Sequence, residues 1–89
     1  MPSWPTPTQR PVLFTTGWCP YCARLKSGLA RSGTVYDEVD VELDDAAAEF
    51  VMSVNRGNRV VPTVLFPDGS TATNPPASVV DERMAGAAS

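Results

Sequence analysis

The sequence predicts an α/β domain in which a four-stranded mixed sheet carries three helices, in the order β-α-β-α-β-β-α. Three observations carry that reading. The run Val12-Leu13-Phe14-Thr15 is apolar or β-branched throughout, and Cys22, Leu25 and Leu29 follow it at helical spacing. A second alternating run from Val35 to Leu43 precedes another helical pattern, completing a parallel β-α-β unit. Finally, Pro67-Asp68-Gly69-Ser70 separates two further strand-like runs and reads as the turn of an antiparallel hairpin. At 89 residues the chain has room for one modest core.

The first residues hold Pro2, Pro5, Pro7 and Pro11 with serine and threonine between them, so residues 1–10 read as a disordered or extended tail and 11–89 as the domain. That composition cannot supply the apolar segment of a signal peptide. With no run near eighteen apolar residues, the expected protein is soluble, cytoplasmic and without a membrane partner. A net charge of −3 leaves no footprint for nucleic acid.

Val12 to Thr15, bounded by Pro11 and Gly17, should be a central strand buried on both faces. A helix from about Cys19 to Arg31 follows and stops at Ser32-Gly33, a C-cap. Between Val35 and Leu43 the valines and Leu43 share one parity, and the acidic residues are read as a solvated face. Asp44 and Asp45 fit the N-cap and first turn of a second helix whose inward residues are Phe50 and Val54, ended by Asn55-Arg56-Gly57-Asn58. Val60 to Phe66 reads as a strand with Pro62 at a special backbone position near its start, since proline cannot donate to a ladder. A short strand near Thr71-Ala72-Thr73 follows, then Asn74-Pro75 as N-cap and N1 of a last helix, with Val80 and Met84 inward and a small-residue tail after Ala85.

The chemistry gathers in Gly17-Trp18-Cys19-Pro20-Tyr21-Cys22, where a strand hands over to a helix. Unpaired backbone N–H groups of a first helical turn and the positive end of its dipole favour a thiolate at Cys19. Cys22, roughly 5–6 Å away on the same face, is the deeper, resolving thiol. Pro20 at N1 costs no hydrogen bond, and Trp18 and Tyr21 flank the sulfurs with aromatic surface that leaves the first thiol reachable. A structural disulfide of so short a loop would stabilise little. Zinc lacks ligands, because the chain has two cysteines and no histidine, and Ala23 stands where c-type haem attachment needs histidine. The placement favours a redox pair with no tightly bound cofactor over a structural disulfide or a zinc site completed by a second subunit. Arg56 and Arg59 bring positive charge to the loop before Pro62, where solvation alone accounts for either.

The order of elements, with Cys19-Pro20-Tyr21-Cys22 after the first strand and Val61-Pro62 before the third, resembles the glutaredoxin branch of the thioredoxin fold. The likeness spans roughly residues 11–86. It implies a cis Val61–Pro62 bond and a groove in which Val61 and Pro62 bind an extended, peptide-like thiol. Within that branch the chain is similar to the mycoredoxins, bacterial proteins that use mycothiol in place of glutathione. The residues that carry this likeness are Trp18 to Cys22, Tyr36 to Asp40, Ala47 to Val51, Ser53 to Asn55, Gly57 to Thr63, Asp68 to Ser70 and Thr73 to Pro75.

Glutathione users commonly have a lysine shortly before the first cysteine and a glycine turn with acids after the hairpin, where this chain has Thr15-Thr16-Gly17 and Ala72-Thr73-Asn74. Mycothiol is a sugar-inositol thiol without glutathione's charged ends, and the hydroxyl of Thr73 and amide of Asn74 suit it. The resemblance therefore implies reduction of mycothiol–protein mixed disulfides by Cys19, with mycothiol as co-substrate, its NADPH-dependent disulfide reductase as electron source and a monomeric enzyme. The thiol-binding residues it implies are Trp18, Pro20, Tyr21, Arg59, Val61, Pro62, Thr73 and Asn74. The alternatives are a disulfide reductase fed by glutathione or thioredoxin reductase, and an iron–sulfur cluster carrier.

Overall fold

The computed structural model describes Trp4 and residues 6–87. Strand β1 (Val12–Thr15) lies inside a four-stranded sheet of order β2-β1-β3-β4, with β2 at Asp37–Asp40, β3 at Thr63–Leu65 and β4 at Thr71–Thr73. β1 runs parallel to β2 and antiparallel to β3, which pairs antiparallel with β4. The sheet is thus mixed, as the sequence predicts, and β1 is buried along its length.

Alternation along β1 divides the core in two. Val12 and Phe14 join Val41, Leu65 and the Ala47, Ala48 and Val51 side of helix α2 (Asp45–Val54). On the other face, Leu13 joins Val64, Phe66 and helices α1 (Pro20–Ser32) and α3 (Ala77–Ala87) through Leu25, Leu29 and Val80. Removing each of these valine, leucine and phenylalanine side chains from water stabilises the fold by about 1.5–3 kcal/mol before entropy is counted. α1 and α3 approach closely at Gly28, where an added Cβ would lie 2.6 Å from Ala77 Cβ. Trp4 packs edge-on against Phe14, ring centroids 5.1 Å apart, and also against Phe50, so this part of the N-terminal stretch adds to the core. The expectation of a tail at Met1, Pro2, Ser3 and Pro5 lies outside the described residues.

The caps agree with the sequence. Gly33 ends α1 at φ 76°, with Thr34 N–H donating to the Leu29 carbonyl at 2.9 Å. Asp44 caps α2 by accepting from Ala47 N–H at 3.1 Å, and positive φ falls at Arg56 and Gly57 just beyond its end.

Several boundaries and burials differ from expectation. The second strand is four residues long rather than nine because its partner β1 offers only four, and Leu43 projects into solvent at 86 % exposure. Val54 is exposed and Phe50 only half-buried; α2 instead rests on Ala47, Ala48 and Val51, whose small side chains let the helix lie close to the sheet. The third strand begins at Thr63, after Pro62, which has no N–H for the ladder. Asn74 is no helix cap: its φ is 49° and its N–H donates to Pro62 O at 2.7 Å. Pro76 holds Pro75 out of helical geometry, so α3 starts at Ala77 and then runs through Ala87, past the Ala85 boundary expected. The acidic face is only partly solvated, since Glu38 accepts from Thr15 Oγ1 at 2.7 Å and from Lys26 Nζ at 2.9 Å.

Candidate active site

After β1 the chain turns through Thr16 and Gly17 and enters α1 with Cys19 as N-cap and Pro20 at N1. The N-cap position leaves the first-turn N–H groups without helical partners, and those of Tyr21 and Cys22 point at the Cys19 sulfur. Burial pushes this thiol up, but the Cys22 and Tyr21 N–H groups and the Cys22 thiol outweigh it. The net shift is downward, which favours the thiolate. Cys22 moves the other way: burial drives it to about 11, against the Thr16 backbone and Lys26, which favour its anion. Two chemically equal thiols are thereby separated into one favoured as thiolate and one held protonated.

Access is narrower than the sequence suggests. Cys19 is 6 % exposed and Cys22 fully buried, while the neighbouring rings of Trp18 and Tyr21 are exposed. Both cysteines are free thiols. Trp18 is held by a 2.7 Å hydrogen bond from its indole N–H to Glu42, and the Arg24 guanidinium lies 5.9 Å from the Tyr21 ring centroid.

The opposite wall comes from the chain ahead of β3. The Val61–Pro62 peptide bond is cis, and the Val61 carbonyl oxygen lies 3.8 Å from Cys19 Sγ. The Asn74 N–H bond to Pro62 O brings the loop after β4 against the same residues. Thr73 Oγ1 donates to Asn55 Oδ1 at 2.6 Å, while Asn55 Nδ2 donates to Val51 O at 2.8 Å and to Thr63 Oγ1 at 3.1 Å. The structure therefore gathers Trp18, Cys19, Pro20, Tyr21, Cys22, Val61, Pro62, Thr73 and Asn74 at one end of the sheet. Arg59 is exposed, two residues before Val61, and has no ion-pair partner among the described residues.

Sequence reasoning missed Asn55 as the support of Thr73, because an asparagine at a helix end signals a cap before anything else. It missed Glu42 as well, since an acid in an acidic run gives no sign of reaching an indole 24 positions away. Groups of three or more histidine, cysteine or carboxylate side chains with metal-holding geometry do not occur among the described residues. No described helix is long and apolar enough to cross a membrane.

A family model described as Glutaredoxin matches residues 12–70. The chain is 58% identical over 73 residues to "Putative glutaredoxin Rv3198A" of Mycobacterium tuberculosis strain H37Rv, covering 82% of this chain and 87% of that one. It is 52% identical over 69 residues to Mycoredoxin 1 of Corynebacterium glutamicum, covering 78% and 85% respectively. Among solved structures, a glutaredoxin from Brucella melitensis superposes with a TM-score of 0.65 at 21% identity, covering 90% of this chain and 86% of that one, a likeness of fold alone.

Proposed function

Starting from the premise that the chain belongs to the glutaredoxin family and is a thiol–disulfide oxidoreductase, we propose that it reduces mixed disulfides between proteins and mycothiol, with Cys19 as the attacking sulfur. The Cys19 thiolate attacks the mycothiol sulfur; the protein–mycothiol S–S bond breaks and the protein leaves as a thiolate that takes up a proton. A second mycothiol, attacking as its thiolate, displaces Cys19 and leaves as mycothiol disulfide. Each turnover thus oxidises one mycothiol thiol, whose sulfur ends paired with the mycothiol taken from the target, and NADPH returns both to thiols through mycothiol's own disulfide reductase. Cys22 offers a second route, in which it displaces mycothiol from Cys19 and closes the Cys19–Cys22 disulfide.

The observation that carries the choice of thiol is the rim beyond the Val61 carbonyl. Thr73 and Asn74 bring a hydroxyl and an amide to this part of the chain, groups that bind a neutral sugar thiol by hydrogen bonds and carry no charge themselves, so that Arg59 is the one cation assigned to the groove. The 52% identity to Mycoredoxin 1 supports the same reading. In this assignment Trp18, Pro20, Tyr21, Val61 and Pro62 shape the groove and Arg59 edges it. The enzyme acts as a cytoplasmic monomer. Reconstitution tests it: NADPH loss is followed with mycothiol and its reductase, with glutathione and its reductase, and with thioredoxin reductase. Turnover in the first system alone is expected; turnover confined to either of the others overturns the assignment.

A further inference from the structure

A cavity of about 340 Å³ opens beside the redox centre, between α1 and the start of α3. Tyr21 and Asn74 stand at its active-site end, Gly28 and Ala77 form its floor, and Arg24 and Arg31 line its α1 side. α1 and α3 close that floor because Gly28 lacks the Cβ that would collide with Ala77.

The electrostatics of this groove differ from those of the rest of the chain. The protein carries a net charge of −3, with seven of its ten acids between Asp37 and Glu49. In the groove, two arginines and no carboxylate line the wall. Neither arginine has an ion-pair partner among the described residues, and both are exposed. α3 also opens into the groove at Ala77 with no acidic residue in its first turn, so the positive end of its dipole is uncompensated.

We propose that this groove docks an acidic segment of the target protein next to the cysteine being reduced, and so selects among targets. The proposal rests on the mixed-disulfide reading above and names the partner chemistry of the same site. A polypeptide is the fitting occupant because the groove leads away from the thiol along a helix. Arg24 and Arg31 lie five and twelve residues beyond Cys19, about 8 and 18 Å along the helix axis. An extended chain rising about 3.3 Å per residue places side chains there roughly two and five residues from the reacting cysteine. Carboxylates at those positions meet the two guanidiniums, while the thiol co-substrate occupies the wall at Val61 and Thr73, the two sites adjoining at Asn74. Complementary charges at an open rim act on encounter and register, so the effect belongs in kcat/KM and falls with added salt.

The test uses two synthetic peptides, each with one cysteine in mixed disulfide with mycothiol. One has glutamates at the second and fifth positions on both sides, the other glutamines. The wild-type enzyme should favour the glutamate peptide by about two- to fivefold for each arginine, in proportion to exposed ion pairs. The preference should disappear in the Arg24→Gln/Arg31→Gln variant. Arg24→Glu/Arg31→Glu should instead prefer a lysine-bearing peptide. Equal rates on both peptides, or a preference that survives the double glutamine variant, overturn the proposal.

A binding arm keeps the groove separable from the choice of thiol. Versions of the peptides with serine for cysteine are titrated into the full chain, and the Gly28 and Ala77 amide resonances are followed. Shifts with the glutamate peptide alone support the groove even if the mycothiol reaction fails. No shift, or the same shift with inorganic phosphate at equal concentration, overturns it even if that reaction succeeds.

Discussion

Cys19 Sγ lies 3.8 Å from the carbonyl oxygen of Val61, a residue 42 positions further along the chain. As a thiol, Cys19 can donate to that oxygen; as a thiolate it can only accept, and its partners become the Tyr21 and Cys22 N–H groups and the Cys22 thiol. Thiolate absorbance should therefore rise in two separate steps. The first, from Cys19, lies below the usual thiol range, and the second, from Cys22, lies near 11. Cys22→Ala removes a donor to the Cys19 sulfur and should move the first step upward. A single step at the ordinary thiol pH would show that the two sulfurs are equivalent.

The same shifts have a sign in stability. Cys19 ionises more readily folded than unfolded, so its contribution is present above the unfolded pKa and is lost as pH falls through the folded one. Cys22 is raised, so its contribution is present below the unfolded value and is lost as pH climbs from the ordinary 9.0 toward about 11. Denaturation midpoints should fall over that alkaline window in the wild type and fall less in Cys22→Ala.

Cys19→Ser should eliminate turnover of a mycothiol mixed disulfide, since a serine hydroxyl at neutral pH is not ionised and cannot take Cys19's place in the exchange. Cys22→Ser should keep it to within a fewfold, because the proposed one-thiol cycle does not use Cys22 and a serine hydroxyl can still donate toward Cys19. Steady-state rates of the two variants decide this, and the reverse result would exchange the roles of the two sulfurs.

Trp4→Ala should lower stability by about 1–2 kcal/mol, because the ring packs on both Phe14 and Phe50 at the α2 face of the sheet. For a domain of this size that is a drop of roughly 5–10 °C in the thermal midpoint. Activity below the transition should be unchanged, since the contact lies on the face away from α1. Scanning calorimetry paired with an activity assay at low temperature checks both halves.

What could be read from the sequence follows from how locally each feature is determined. β1, the Gly33 and Asp44 caps and the hairpin turn depend on a few adjacent residues, and all stand where the pattern puts them. Strand ends were harder. Val35 to Leu43 alternates for nine residues, but pairing stops where β1 stops, a limit that lies in another part of the chain. Asn74-Pro75 looks like a helix start until Pro76 and the long-range bond to Pro62 are considered together. In the site, the thiol pair is legible because its spacing is the signal and the cis Val61–Pro62 bond because the chain resembles the glutaredoxins, whereas the contacts of Glu42 and Asn55 exist only after folding.

Asn55 gives the sharpest check on that last class of residue. Its side-chain amide ties the Val51 carbonyl at the end of α2 to Thr63 at the start of β3, and its oxygen receives the Thr73 hydroxyl at the rim of the groove. Asn55→Ala leaves all three partners to water or to nothing, a loss of about 1–3 kcal/mol in stability. Thr73 then loses its fixed orientation while the sulfurs, held by the start of α1, do not move. KM for the mycothiol mixed disulfide should rise by about three- to tenfold with kcat nearly constant, the pattern of lost uniform binding. Asn55→Asp keeps the acceptor for Thr73 and should recover much of KM without recovering stability, because the carboxylate cannot donate to Val51 or Thr63. An Asn55→Ala enzyme with unchanged KM and reduced kcat would mean that Thr73 does not orient the substrate and that Asn55 acts through the thiols instead.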